Sequence, residues 1–319
     1  MGTGAGTAAR TRARRMTVAA VAAVATLGLV PGCTLTDTEG ADGKTSGGGR
    51  VLAVKIDNVG PARPQTGLDS ADVVYAEQVE AGLSRLMAVY AGQPPPVVGP
   101  VRSARETDLE LLRQFDDPAL AFSGAQSKLL PLISAAPLRP LPPGKAPGDA
   151  YFRGGTKPAP HNLFVRPKNL DADLKKGGLE STGFVFGPRP KGGTPERERT
   201  VRFPAARFTF TWSAAQERWL VAMDGTRSRT ANGKPLAAST VVVQYVKVRE
   251  SRFHDRSGNN TPFTETVGSG KARVLRDGRA YAARWERPSP GDGTEFTTAD
   301  GGERLPFAKG QVWVVYAKA

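Results

Sequence analysis

Residues 51–56 read Val51-Leu52-Ala53-Val54-Lys55-Ile56, an apolar run of strand length that ends at Asp57, Asn58 and a Gly-Pro turn. A short apolar run bounded by turn residues indicates a buried strand. Runs of the same character recur along the first half of the chain, at residues 71–75, 86–90 and 119–122. This half therefore predicts a sheet built from several short strands.

Helical patterns are interleaved with these strands. Residues 107–115 place leucines and Phe115 at helical spacing after an acidic start, where the helix dipole favours carboxylates, and residues 128–133 form a second short pattern. Because short strands alternate with short helices, we expect an N-terminal α/β domain with a mixed sheet over residues 50–187.

The pattern changes after a polar, proline- and glycine-rich segment at residues 188–199, which we interpret as a linker. Residues 207–212 alternate with a period of two, and later apolar runs end at Asp-Gly or Asn-Gly pairs, which favour tight hairpins. Residues 200–319 therefore predict a C-terminal antiparallel β-rich domain. The expected fold class of the whole chain is α+β.

The N-terminus has the organisation of an export signal. Four arginines without an acid precede an apolar stretch of about 14 residues, too short to span a bilayer core, and this stretch leads to Val30-Pro31-Gly32-Cys33. That segment resembles a bacterial lipobox, so we expect residues 1–32 to be a lipoprotein signal peptide and Cys33 to carry the lipid. A Gly- and Ser-rich flexible tether is expected at residues 33–49. The protein would then be lipid-anchored on the extracytoplasmic face of the membrane.

Composition limits the classes of function. Cys33 is the only cysteine, which excludes an internal disulfide framework, a second cysteine as nucleophile and a thiolate metal site in the exported portion. The formal net charge is +14, and the signal accounts for four of these charges. Outside the membrane the abundant polyanions are phospholipid headgroups and phosphate-bearing wall polymers, so the expected compartment argues against nucleic acid as a partner.

Arginines and carboxylates are concentrated in about fifty residues of the first half. Arginine presents a planar donor fork that suits phosphate or carboxylate, and the motif Gly99-Pro100-Val101-Arg102-Ser103-Ala104-Arg105 adds a hydroxyl before the predicted helix. The candidate ligand-binding residues are Arg63, Arg85, Arg102, Ser103 and Arg105. The candidate acid/base residues are Asp57, Asp72 and Glu80. The alternative for the same residues is an internal salt-bridge network that fixes a loop against the sheet.

No metal site or cofactor is expected. The acids are scattered over predicted strand ends, and nearby arginines compete for them. His161 and His254 lack the spacing of a zinc site and are interpreted as hydrogen-bonding loop residues. The run 267–271 contains glycines and Lys271 but lacks Walker spacing, so it predicts a tight turn.

Several motifs together resemble one bacterial family. They include Val54-Lys55-Ile56-Asp57-Asn58, the run 62–68, Glu80-Ala81-Gly82-Leu83-Ser84-Arg85, the arginine motif at 99–105, and Gly310-Gln311-Val312-Trp313 near the C-terminus. In this combination the chain resembles the YerB-like lipoproteins of Gram-positive bacteria, whose domains carry a domain-of-unknown-function label. The resemblance spans residues 50–316 and implies an envelope location. It implies no reaction.

The sequence supports three hypotheses about function. The leading one is a non-enzymatic, membrane-anchored envelope protein that binds an anionic ligand, such as a cell-wall polymer, or a protein partner. The second is an enzyme acting on phosphate-bearing wall polymers, with Asp57 or Glu80 as base. The third is an assembly scaffold in which the β domain docks another envelope protein.

Overall fold

The computed structural model describes residues 1–2, 50–170, 178–255 and 258–319. Residues 46–319 cluster as one compact unit. The predicted lipidation site Cys33, most of the signal peptide and the tether lie outside the described residues, so those predictions stay as they are. Within the described ranges, no helix is both long and apolar enough to cross a bilayer.

Strands dominate the described chain. The strands are β1 (Leu52–Asp57), β2 (Val73–Gln78), β3 (Ser84–Tyr90), β4 (Ala119–Ala121), β5 (Arg139–Leu141), β6 (Tyr151–Arg153), β7 (Leu163–Val165), β8 (Thr194–Pro195), β9 (Glu198–Phe203), β10 (Ala206–Ser213), β11 (Arg218–Met223), β12 (Thr226–Arg227), β13 (Ala237–Ala238), β14 (Thr240–Val246), β15 (Val248–His254), β16 (Asn260–Thr264), β17 (Gly268–Arg276), β18 (Arg279–Arg287), β19 (Glu295–Thr298) and β20 (Val312–Lys318). The α-helices are α1 (Glu106–Leu112) and α2 (Leu130–Ala135).

One large mixed sheet organises the molecule, in the order β19-β18-β17-β14-β20-β2-β3-β1-β4-β5. β1 and β2 both pair with β3 in antiparallel register, whereas β4 runs parallel to β1. The last strand, β20, lies between β14 and β2 and is parallel to both. Being hydrogen-bonded on both edges, β20 is apolar throughout its buried length, as a central parallel strand requires.

A second sheet, in the order β12-β11-β10-β9, covers one face of the large sheet. Its alternating pattern points every second side chain inward, and Phe208, Phe210 and Trp219 join the same buried cluster as Trp313. The rings of Phe208 and Phe210 lie 6.1 and 6.0 Å from that of Trp313. The period-two pattern predicted at residues 207–212 therefore marks a real sheet with one buried face.

The opposite face of the large sheet is covered by α1, α2 and the β15–β16 hairpin. Arg287, fully buried on β18, fixes α1 in place. Its guanidinium donates to the Glu110 and Leu111 carbonyls at the end of α1, at 2.9 and 3.4 Å, and to the Thr266 hydroxyl at 3.0 Å. Burial lowers the pKa of this guanidinium, an effect that the nearby Glu110 opposes. This is a helix C-terminus neutralised by a buried cation.

The strand content of the fold agrees with the prediction made from the sequence. The mixed sheet in the first half and the β-rich second half are present, but the separation into two domains is not confirmed. The reason is that β20 from the end of the chain pairs with β2 from its beginning. The tight turn predicted at 267–271 is wrong: Gly268–Lys271 are part of β17 and pair with β18, where Trp285 packs against the glycines.

Candidate functional site

A cleft of about 710 Å³ opens where several loops meet beside the carboxyl end of β1. Five segments from the first half line it: the end of β1, the connection from β2 to β3, the segment leading into α1, residues 123–129 after β4, and the segment that contains Arg153 and Pro160. The β15–β16 hairpin closes the cleft from the second half. The residues central to its chemistry are Asp57, Glu80, Arg85, Arg102, Ser103, Arg105, Ser123, Arg153 and Thr261. The cleft therefore contains most of the arginine-rich region noted in the sequence.

Backbone hydrogen bonds hold the Arg102–Arg105 segment in place. The Arg102 amide donates to the Lys55 carbonyl of β1 at 2.8 Å, and the Ala104 amide donates to the Gly124 carbonyl at 2.9 Å. Gly99 precedes this segment with a φ of 156°, and a β-carbon there would lie 2.8 Å from the Phe164 ring. Glycine is therefore required for the chain to enter the cleft along this path.

Two arginines of the segment are already paired with acids. Arg102 Nε lies 2.9 Å from Asp57 Oδ2. Arg105 contacts both oxygens of Glu80, at 2.6 and 2.8 Å, and Glu80 also accepts the Thr261 hydroxyl at 2.6 Å. Burial alone would raise the pKa of Glu80, but the Arg105 guanidinium and the Thr261 hydroxyl outweigh it and hold that pKa below its ordinary value.

Arg85 differs from these two. Its Nη1 donates to the Ser103 carbonyl at 3.0 Å, and none of the carboxylates in the described chain forms an ion pair with it. Burial and the neighbouring Arg105 charge lower the pKa of Arg85 to about 10, so the group remains protonated at neutral pH. Arg85 is thus a half-buried cation that forms no direct ion pair with a carboxylate of the described residues, although the Glu80 and Asp57 charges lie near it.

His161 joins the site through Asp57. Its Nδ1 lies 2.8 Å from Asp57 Oδ2, the same oxygen that Arg102 approaches. Asp57 thereby fixes the orientation of the imidazole and leaves Nε2 as the nitrogen that other groups can use. The hydrogen-bonding role expected for His161 is present, but its partner lies 104 positions away in the chain, so its place beside Asp57 could not be found from local spacing.

A buried charged triad lies behind the cleft. Lys55 of β1 is fully buried, with its Nζ 2.7 Å from Asp108 of α1 and in direct contact with Glu77 of β2. Asp108 also accepts the Arg105 amide at 2.7 Å, which ties the triad to the arginine segment. Burial raises the pKa of Glu77 to about 7, although the Lys55 charge opposes the rise. The triad positions the cleft loop without lining the cleft.

Six of the predicted site residues line this one cleft, and two do not. Arg63 lies elsewhere, ion-paired with Asp224 at 2.7 Å and hydrogen-bonded to the Met223 carbonyl of the second sheet. Asp72 accepts the Ala91 amide at 2.7 Å and so has a structural role at the end of β3. Neither is placed to contact a ligand in the cleft. The six residues in the cleft are Asp57, Glu80, Arg85, Arg102, Ser103 and Arg105.

The sequence reasoning missed the lining residues that come from distant segments. Ser123 lies 3.4 Å from Ser103, hydroxyl to hydroxyl, and Thr261 reaches Glu80 from the second half of the chain. Arg153 also lines the cleft and donates to Asn162 at 2.7 Å. No local pattern marks these residues, because only the folded sheet brings them together. Among the residues the structure describes, no three His, Cys, Asp or Glu side chains could together hold a metal ion.

The sequence of this β-rich chain matches two family models along its length. Residues 35–180 match the N-terminal domain, and residues 199–314 the C-terminal domain, of the family described as "Protein of unknown function (DUF3048)". The chain belongs to this family of YerB-like proteins.

Two comparisons name the same relative. The chain is 25% identical over 279 residues to "Putative lipoprotein YerB" of Bacillus subtilis (strain 168), covering 83% of this chain and 80% of the relative. The crystal structure of the YerB protein from Bacillus subtilis superimposes with a TM-score of 0.72 at 20% identity, covering 85% of this chain and 92% of that one. The second comparison supports the fold alone.

Proposed function

We propose that this protein is an extracytoplasmic envelope lipoprotein, anchored through lipid on Cys33, that binds an anionic phosphate or carboxylate group in the arginine-lined cleft. The observation that carries the proposal is Arg85, a half-buried and protonated guanidinium that lines the cleft and forms no direct ion pair with a carboxylate of the described residues. Burying a cation is unfavourable unless an anion compensates it. A ligand anion at Arg85 supplies that compensation.

The neighbouring groups complete the anion site. Arg153 is bonded to an amide and retains its charge for a ligand, and the hydroxyls of Ser103 and Ser123 add neutral donors. Arg102 and Arg105 contribute less, because Asp57 and Glu80 already neutralise them. Phosphate fits this set well, since it accepts several hydrogen bonds from planar guanidinium groups and hydroxyls at once.

The envelope location rests on a separate line of support. The relative YerB is named as a lipoprotein, which agrees with an anchor at the membrane, and the Val30-Pro31-Gly32-Cys33 motif of this chain resembles a lipobox. A diacyl anchor binds a bilayer stably, since each buried methylene contributes about 0.8 kcal/mol. The cleft would then face wall polymers and soluble metabolites outside the cell.

The test compares Arg85→Gln with Arg284→Gln, which removes an exposed arginine of β18 that does not line the cleft. Binding of inorganic phosphate, poly(glycerol phosphate) and peptidoglycan fragments is measured by calorimetry across a salt series. We expect the Arg85 variant to weaken binding about tenfold to a hundredfold, as loss of a charged hydrogen bond does. Binding that is absent, or equal in the two variants, contradicts the proposal.

A second candidate is hydrolysis of phosphate-bearing wall polymers, which the Asp57–His161 pair favours. Asp57 and Glu80 are each neutralised by an arginine, so the imidazole Nε2 is the better general base. Turnover is checked by phosphate-ester cleavage over time. His161→Gln should abolish a measurable rate and leave polymer binding intact, whereas equal rates in both proteins remove this candidate.

A further inference from the structure

The outward face of the second sheet carries a group of exposed arginines far out of balance with its acids. Arg202 on β9 and Arg207 on β10 are exposed and lie directly opposite each other in the antiparallel register. Arg227 on β12 and Arg229 just beyond it are exposed as well. These four residues, Arg202, Arg207, Arg227 and Arg229, are called the arginine face below.

Neighbouring acids do not compensate this charge. Within the described ranges, no carboxylate forms an ion pair with any of the four arginines. Asp224 is adjacent, but one of its oxygens accepts the Arg207 backbone amide and the other is ion-paired with Arg63. Like charges placed directly across two strands destabilise a sheet, so the Arg202–Arg207 pair is unfavourable in the isolated protein.

The large sheet also carries a directly opposed pair of cations, but this pair has different neighbours. Lys271 and Arg284 are also exposed and directly opposed across β17 and β18. There, however, Glu286 occupies the neighbouring position on the same face of β18 and is opposed by Glu295 of β19. That cationic pair therefore has two glutamates beside it on one side, whereas the corresponding neighbours of Arg202 and Arg207 are Thr200 and Thr209, which are neutral.

We propose that the arginine face docks the protein on an anionic phospholipid surface. Its charge complements phosphate headgroups, so electrostatics rather than insertion would hold it there. The other outward residues of this sheet are mostly polar or small, and its exposed acid Glu198 accepts the Thr211 hydroxyl at the end of β9 away from Arg202. The choice of a bilayer over another polyanion rests on the lipid anchor proposed above. An anchor on Cys33 is 17 residues from residue 50, a span of about 60 Å at most, so it would hold the folded part of the chain at a high effective concentration beside the headgroups.

The docked face adjoins the cleft. The β9–β10 turn packs on the segment that joins β2 to β3, where the Ala205 amide donates to the Gly82 carbonyl at 2.9 Å. Ala81 and Leu83 of that same segment line the cleft. Docking through the arginine face therefore places one rim of the cleft next to the membrane surface.

The experiment uses the compact unit Ser46–Ala319, which contains the described core and lacks the anchor. Its sedimentation is measured with vesicles of phosphatidylcholine alone and of equal parts phosphatidylglycerol and phosphatidylcholine, at low and physiological salt. We expect binding to the anionic vesicles that Arg202→Gln with Arg207→Gln weakens at least tenfold, since each basic residue near such a surface contributes strongly. The matched control, Lys271→Gln with Arg284→Gln, removes the same charge and should change binding less than twofold.

Three outcomes overturn the inference: equal weakening in both double variants, no preference for anionic vesicles, or preference for soluble poly(glycerol phosphate) over vesicles. Arg85→Gln serves as a third arm. This variant should leave vesicle binding unchanged while weakening the binding of inorganic phosphate in the cleft. Failure of the docking face and failure of the cleft are therefore distinguished.

Discussion

At the scale of single residues, the cleft contains two kinds of arginine with opposite consequences for mutation. Arg105 binds both oxygens of the largely buried Glu80, whereas Arg85 has only a carbonyl partner. Removing Arg105 leaves a carboxylate buried without its cation, which is costly. Removing Arg85 leaves no such group. Stability and ligand binding should therefore respond to different arginines.

We expect Arg105→Ala to lower the free energy of unfolding by about 2–3 kcal/mol, because Glu80 loses its charged partner. Urea denaturation measures the change. Arg105→Ala combined with Glu80→Gln should recover part of the loss, since the orphaned charge is gone while Gln can still accept the Thr261 hydroxyl. Additive losses in the double variant contradict this explanation.

The raised pKa of Glu77 predicts that the stability of the protein depends on pH. Its pKa is raised by burial from 4.5 to about 7, so between these values the folded protein binds this proton more readily than the unfolded chain. The contribution of Glu77 to stability therefore falls as pH rises through that window, by at most about 1.4 kcal/mol per pH unit. The difference in unfolding free energy between the protein and Glu77→Gln, followed from pH 4.5 to 7, isolates this contribution. A difference that does not vary with pH would falsify it.

The sequence predicted this site in part, and the residues show why. The Gly99–Arg105 motif and Arg85 were recognised because they are close in the chain and chemically distinctive. Arg63 was grouped with them on the same grounds, yet Asp224, in the turn between β11 and β12, holds it elsewhere. Thr261 and His161 were not grouped with them, because their contacts join segments that are far apart in the chain, which no local pattern specifies.

At the scale of secondary-structure elements, the short helix α1 is held by its contacts at both ends. Asp108 bonds the Arg105 amide at the start of the helix, and Arg287 bonds the last carbonyls. A helix of this length is not stable by itself in water, so these contacts determine its position. Because Arg105 immediately precedes α1, the position of the helix also determines the shape of the cleft.

We expect Arg287→Lys to destabilise the protein by about 2–3 kcal/mol and to loosen α1. A single ammonium cannot reproduce a planar fork that bonds Thr266, Pro290, Asp292 and the end of the helix together. Chemical denaturation gives the stability, and amide hydrogen exchange in residues 106–112 reports the helix. Exchange that stays as slow as in the unmodified protein would show that α1 is held by other contacts.

The strands show where patterns in the sequence are sufficient. β10 was predicted from its period-two alternation, which is set by one buried face, and β1 from its apolar run. The tight turn predicted at residues 267–271 was wrong because glycines usually mark turns, whereas here Gly270 lets the Trp285 ring pack against β17. A local sequence pattern does not reveal that a glycine packs against an aromatic side chain far away in the chain.

At the scale of the whole molecule, the sheet joins the two halves of the chain more closely than the sequence suggested. The linker-like composition at residues 188–199 supported two domains, but strand order in a sheet is decided by partners far apart in sequence. β20 pairs with β14 along its full length and also pairs with β2. The two halves consequently share their hydrogen bonds and their core.

We expect residues 50–187 expressed alone to remain unfolded, because β2 would become an unpaired apolar edge. We expect the compact unit Ser46–Ala319 to unfold in a single transition. Circular dichroism and limited proteolysis of both proteins check this, with coincident probes for the single transition. A protease-resistant fragment 50–187 with native-like strand content would instead restore the two-domain interpretation.

The position of β20 also has a consequence for biogenesis. A nascent chain emerges with its N-terminus first, and β20, at the centre of the large sheet, follows all the other strands in the described part of the chain. No incomplete chain can therefore close the sheet, however slowly translation proceeds. A chain that stops before residue 312 therefore leaves the facing edges of β14 and β2 without their shared partner, and such edges recruit other unpaired strands, so we expect incomplete chains to be prone to aggregation.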